Sequence, residues 1–246
     1  MLTKVSFSSI ALAGILSATL ANASGEVSSS GPSLYNSGFY TGALLGYSSM
    51  NSSIRESLFS PGLLNSSKNL TGNSQGIVGD LLLGYRHFFK NKYMLGFEFG
   101  FSANNNELNN KFLVNNFNIQ TKLKGQYKFT PSVVIGTQLS SKWLGFIKLG
   151  VSMSRFKGYH SLYLPGSGEG ADIRTFSSTK TGFMGALGAE YAINEKISTI
   201  ALASYESFGS ISSTFKENIF GFPNETTTIK MKPEYYTFKV GMTYSF

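Results

Sequence analysis

Ten charged residues stand singly inside runs of alternating apolar sequence: Asp80, Arg86, Glu98, Lys122, Lys124, Lys128, Lys148, Glu190, Glu206 and Lys239. Six cations against four anions, spaced among apolar neighbours, point to ion pairing in a confined interior, because a buried charge is tolerated only with a partner. If the pairs stay closed they plug that interior. If they open they line a charged pore in which Glu98 would dominate the electrostatics. A second group has the types needed for nucleophilic hydrolysis: His160 beside Ser161, with Glu169 and Asp172 downstream. Catalysis needs such groups held on rigid elements, and here they fall in a Gly-rich stretch, so no enzyme is expected. No metal or cofactor site is expected either. Cysteine is absent, Asn104-Asn-Asn106 has only Glu107 beside it, and His87 reads as a residue of an aromatic girdle at a turn.

The elements that must position these charges are β-strands. Eight segments alternate with period two: 39–48, 77–86, 93–102, 118–129, 143–154, 181–191, 199–206 and 236–246. Each approaches the length of about 9–11 residues with which a tilted strand crosses a bilayer. The connections alternate as well. Residues 49–75, 103–117, 155–180 and 207–235 are long and mostly rich in Asn, Ser and Gly, whereas 87–92, 130–142 and 192–198 are shorter. Long loops at one end and short turns at the other are the pattern of an antiparallel barrel in an outer membrane.

One face of these segments carries Phe39, Leu45, Ile77, Leu81, Phe97, Phe99, Ile119, Thr121, Leu123, Ile147, Leu149, Phe183, Leu187 and Ala201, with no charge inside the spans. The ten charges above take the other face. A Lys or Arg at the midplane of the lipid face costs about 2–4 kcal/mol, so the uncharged face is assigned to lipid and the charged face to the interior. Tyr85, Tyr93, Tyr127, Trp143, Tyr191 and Tyr244 fall near the short turns, and Tyr47, Tyr205 and Tyr236 near the long loops, which makes two aromatic belts. The expected fold is an all-β, eight-stranded antiparallel up-and-down transmembrane β-barrel over residues 37–246. A soluble calyx would instead put its apolar face inside.

The ends of the chain agree. The last strand alternates Phe238, Val240, Met242, Tyr244 and Phe246, and this terminal aromatic pattern reads as an assembly signal for outer-membrane insertion. Residues 1–23 combine an early Lys4, an apolar run and Ala21-Asn22-Ala23, a secretory signal peptide with cleavage before Ser24. Residues 24–36 then form a periplasmic amino-terminal segment. Charged residues are only 14% of the chain, with 21 Phe and 13 Tyr against one Trp, and 27 Gly. The net charge of +8 is spread singly through the sequence, without a basic stripe, so nucleic acid is excluded as a partner.

The strands resemble the OmpA-like transmembrane barrel family. Phe39-Tyr-Thr-Gly-Ala-Leu-Leu-Gly-Tyr-Ser48 is similar to its first strand, Leu95-Gly-Phe-Glu-Phe-Gly100 to its third and Gly185-Ala-Leu-Gly-Ala-Glu-Tyr-Ala-Ile193 to its sixth. Glu98 and Glu190 match that family's interior carboxylates. The seventh strand, Ile200-Ala-Leu-Ala-Ser204, lacks the interior Arg the family often places there, and a transmembrane domain alone, without the family's peptidoglycan-binding domain, is expected. The resemblance implies an integral outer-membrane protein of a Gram-negative bacterium with both termini in the periplasm. Its expected role is a scaffold displaying loops for adhesion, envelope integrity or immune contact, with a small gated porin as the alternative. The expected partners are outer-membrane lipid and lipopolysaccharide, the outer-membrane assembly machinery, and host or surface ligands reached through Phe59, Leu63, Tyr163, Leu164, Phe220 and Phe222.

Overall fold

The computed structural model describes residues 33–60, 64–90, 92–114, 117–163, 172–219 and 222–246. The signal-peptide region 1–23 lies outside them. Among the described residues ten strands form: β1 (Gly38–Ser60), β2 (Leu64–Phe89), β3 (Tyr93–Asn104), β4 (Glu107–Val114), β5 (Phe117–Gln138), β6 (Trp143–Tyr163), β7 (Asp172–Ala192), β8 (Ile197–Phe208), β9 (Ile211–Ile219) and β10 (Phe222–Ser245). All pairings are antiparallel, and the order β1-β2-β3-β5-β6-β7-β8-β10 closes through β10–β1 into a ring of eight. β4 continues the line of β3 along β5, interrupted at Asn105-Asn106. β9 continues β8 along β10, interrupted at Gly209-Ser210, where β10 carries Pro233. Proline cannot donate to a ladder, and Pro233 stands where β10 has a ladder partner on β1 but none on β8 or β9.

The strands run far beyond the expected spans. Residues 49–75, 103–117, 155–180 and 207–235, expected as loops, are mostly strand, and Thr130–Gln138 belongs to β5, leaving 139–142 as the turn. On the outer wall an apolar band runs from Trp143 to Met153 on β6, about 25 Å at a rise of ~3.3 Å per residue and a tilt of ~40°. Phe39, Leu45, Ile77, Phe97, Phe101, Phe183, Phe238 and Val240 belong to it, all well exposed, and no charged residue stands in it among those described.

Above the band the polarity of the alternation inverts. On β1 the outward residues change from Phe39, Leu45 and Tyr47 to Asn51, Ser53 and Arg55, while Met50 and Ile54 turn inward and are fully buried. Ring closure ends at the same level. The β2–β3 ladder stops at Val78–Asn104 and the β7–β8 ladder at Gly182–Phe208. Beyond these points, among the described residues, no ladder joins β2 to β4 or β7 to β9. The upper half is therefore two four-stranded sheets, β9-β10-β1-β2 and β4-β5-β6-β7. They pack on a core of Met50, Ile54, Leu108, Leu123, Phe156, Phe208, Ile211, Ile229, Met231 and Tyr235. In hydrocarbon every backbone group must be paired within the protein, so the ring stays closed where lipid surrounds it. Where water reaches the edges the ring can split into a sandwich.

Candidate functional site

The lower barrel is filled by ion pairs stacked on three levels between apolar side chains. Nearest the short turns, Arg86 donates to both carboxylate oxygens of Glu190 at 3.0 and 3.2 Å and to Ser245 Oγ at 2.6 Å. Thr243 donates to the same Glu190 at 3.0 Å. In the middle, Lys148 Nζ lies 2.5 and 2.7 Å from the oxygens of Glu98, which also accepts from Tyr40 OH at 2.8 Å. Higher up, Lys128 pairs with Glu206 at 2.7 Å, Ser152 donates to Glu206 at 3.0 Å, and Lys239 pairs with Asp80. Every one of these eight charges is under a tenth exposed. Rings complete the packing: Arg86 lies 5.1 Å from the Tyr40 ring centre, Lys128 4.6 Å from Tyr235 and Lys148 5.2 Å from Phe146.

Lys122 and Lys124 do not join them. Both stand on the outer surface of β5, and Lys122 faces Glu107 at 3.6 Å with both side chains well exposed. The cause is a bulge. Between Gly125–Phe156 and Lys128–Ser154 the register advances three residues on β5 and two on β6, so one extra residue reverses the facing of everything beyond. Thr121 and Leu123, assigned to the lipid face by alternation, are consequently fully buried. Gly125 is required there, because a Cβ would meet the Tyr235 hydroxyl at 2.3 Å.

The short-turn mouth is stopped by the segment before β1, which sequence reasoning assigned no such part. Tyr35 is buried, its hydroxyl donating to the carbonyls of Glu190 at 2.8 Å and Lys142 at 3.0 Å. Its ring lies 5.3 Å from Arg86 and 6.1 Å from the Phe88 ring. Burial, reinforced by the Glu190 carboxylate, pushes the phenol above its usual range, so it remains a neutral donor. The only hint in the sequence is an apolar Leu34-Tyr35 pair in a Ser/Gly-rich stretch.

Between the ion pairs and the sandwich core lies a belt of buried polar atoms without a hydrogen-bond partner among the described residues: Ser48 Oγ, Asp80 Oδ1, Asn104 Oδ1 and Nδ2, Ser204 Oγ and Thr237 Oγ1 among them. Asn106 partly bridges it, donating to the carbonyls of Ser48 at 3.0 Å and Ser74 at 3.4 Å. Asn105 terminates the β2–β3 ladder by accepting from Ile77 N at 2.7 Å.

His160 is not in a loop. It is buried on β6, 3.3 Å from Thr121 Oγ1, with its ring stacked on Phe215 of β9 at 5.6 Å and 6°. Phe215 also meets Phe176 of β7 at 6.0 Å, so these rings span the gap between the two sheets. Ser161 is buried beside His160, Glu169 lies outside the described residues, and the side chain of Asp172 is not described. His87 packs edge-on to Phe89 at 4.6 Å near a short turn. Among the described residues no cluster of three or more His, Cys, Asp or Glu could hold a metal. The side chains of Phe59, Leu63, Tyr163, Leu164, Phe220 and Phe222 lie outside those described.

Solved structures are similar to this chain at low sequence identity. The chain covers 99% of OprG from Pseudomonas aeruginosa over 87% of its own length, with 13% identity and a TM-score of 0.52. It covers 96% of the outer membrane protease OmpT from Escherichia coli over 85% of its length, with 9% identity and a TM-score of 0.50. For Ail, the attachment invasion locus protein of Yersinia pestis, the figures are 99%, 81%, 13% and 0.31. The likenesses to OprG and OmpT concern the fold alone. No curated protein matches by sequence. The family model described as outer membrane protein beta-barrel domain matches residues 8–246, and with its uncharged outer band and closed eight-membered ring the chain belongs to that family.

Proposed function

We propose that this protein is a non-conducting, non-enzymatic scaffold of the bacterial outer membrane that holds a rigid two-sheet platform above the outer leaflet for contact with surface ligands. The observation that carries the reading is the filled interior. Four buried ion pairs, the lower apolar cluster around Leu44, Leu82 and Phe146, and the Tyr35 stopper occupy a ring whose eight strands leave room for little more than side chains. In this reading residues 1–23 are removed on export and both termini lie in the periplasm. The aromatic face of Phe238, Val240, Met242, Tyr244 and Phe246 directs assembly. The sandwich takes the place that flexible loops would otherwise have, and presents its outer faces for adhesion or immune contact. Single-channel recording of the refolded chain in planar bilayers tests it: silence is expected from the wild type and from Glu98→Gln. Discrete openings altered by that substitution would transfer the reading to a small gated porin, which the belt of unsatisfied polar atoms above the ion pairs favours.

A further inference from the structure

The outer wall just above the apolar band is chemically different on its two sides. On the β5–β6 side the last outward band residues are Tyr127 and Met153. Directly above come Arg155, Lys157, Lys124 and Lys122, with Arg155 Nη1 donating to Tyr127 OH at 3.4 Å. One outward step of two residues climbs about 5 Å, so Arg155, Lys157 and Lys124 stand about 5–10 Å beyond the hydrocarbon edge, the depth of the headgroup layer. Lys124 and Lys157 sit directly opposite one another in the ladder. Like charges in that position are destabilising. The single carboxylate of the patch among the described residues, Glu107, is cross-strand from Lys124 and reaches Lys122 at 3.6 Å.

On the opposite sheet the same level carries balanced charge: Lys232, one outward step above Glu234, faces it at 3.7 Å. Asn73 donates to Asn51 at 2.7 Å, Ser49 and Gln75 flank them, and β10 carries Glu234. The like-charge pair of that sheet, Arg55 opposite Lys230, stands a further outward step up, so at this depth the unbalanced positive charge lies on the β5–β6 side. It exists because the bulge after Gly125 turns Lys122 and Lys124 outward.

We infer that Lys124, Arg155 and Lys157, with Lys122 beside them, form a binding site for the phosphate groups of the outer-leaflet glycolipid, lipopolysaccharide. A phosphorylated glycolipid brings several anionic oxygens to this depth at once. It would relieve the Lys124–Lys157 opposition while its acyl chains lie along the aromatic band below. Arg155 and Tyr127 give the donor pair at the lower edge of the site. The inference rests on the proposed orientation, with the sandwich outside the cell.

The test measures binding of purified lipopolysaccharide to the refolded full chain in maltoside micelles, with folding verified by heat-dependent electrophoretic mobility. The Lys124→Gln/Lys157→Gln variant is expected to lose about ten- to thirtyfold in affinity, the effect of two cations near an anionic surface. The same variant, free of lipopolysaccharide, is expected to unfold at an equal or higher temperature than the wild type, because a like-charge pair is gone. Arg55→Gln/Lys230→Gln, which removes the same charge from the opposite sheet, should change affinity by less than about twofold, since those residues lie well above the headgroup layer. Equal losses in the two variants, or no loss in the first, overturn the site. Inorganic phosphate that binds the wild type as tightly as the glycolipid overturns its assignment to a lipid. Orientation is read separately, by labelling Ser53→Cys on whole cells with a membrane-impermeant maleimide in this otherwise cysteine-free chain. Labelling only after the cells are opened overturns the leaflet assignment, whereas the micelle result stands by itself.

Discussion

The Glu98–Lys148 pair sits near mid-depth of the hydrocarbon, and its removal offers the sharpest test of how this barrel is filled. Glu98→Gln keeps the shape and the contact with Tyr40, but leaves the Lys148 ammonium, 2% exposed, without its counter-ion. The other carboxylates are committed elsewhere, Glu190 to Arg86, Glu206 to Lys128 and Asp80 to Lys239. Breaking a buried pair from one side costs about 3–5 kcal/mol, whereas replacing both members by groups of similar volume is often near neutral. Glu98→Gln/Lys148→Met should therefore recover most of the loss, with Met filling the space against Phe146. The assay is reversible urea unfolding in lipid vesicles, followed by tryptophan fluorescence of Trp143 and by mobility shift. A single-variant loss below about 1 kcal/mol would refute the reasoning, since it would mean that water already solvates Lys148. So would a double variant no more stable than the single one.

Three further outcomes are expected. Deleting Gln126 straightens the bulge and would turn Lys122 and Lys124 into the sandwich core, so the variant should fail to give the heat-modifiable folded band; normal folding would show that the register tolerates slippage. Phe215→Ala removes the ring between His160 and Phe176 and should cost about 1–3 kcal/mol, less than a fully buried Phe. Hydrogen exchange should accelerate in β9 and in β7 above Thr181 while the lower ring stays protected, and uniform acceleration would contradict separate upper sheets. Gly46→Ala places a methyl group 2.0 Å from the carbonyl oxygen of Phe238 at the β1–β10 closure. The strands must part there, lowering stability by about 1–3 kcal/mol, and an unchanged unfolding midpoint would show that the closure is looser than described.

The membrane strands are legible in the sequence because two constraints act on alternate residues at once. Lipid rejects charge on one face, and a narrow interior demands paired charge on the other. Glu98, Lys148, Arg86, Glu190, Lys128, Glu206, Asp80 and Lys239 all obey that parity, and the structure buries every one of them. Above the band the constraint changes sign. Met50, Ile54, Leu108 and Ile229 turn inward between Asn, Ser and Lys, a pattern of alternating polar and apolar residues that composition alone reads as loop.

The membrane barrel follows from residue pattern alone: the ring of eight, its lipid face and the charges that fill it are each dictated locally by the solvent on either side of a strand. The sandwich, the Tyr35 stopper and the outward placement of Lys122 and Lys124 arise instead from contacts between strands distant in the chain. Where both faces of a strand tolerate polar residues, one extra residue after Gly125 leaves no trace in the alternation, and its effect appears only when β5 is laid against β6 and the Tyr235 hydroxyl takes the space beside Gly125. Pairing partners above the membrane are set in the same way, because once water can satisfy a strand edge the backbone no longer requires the ring to close.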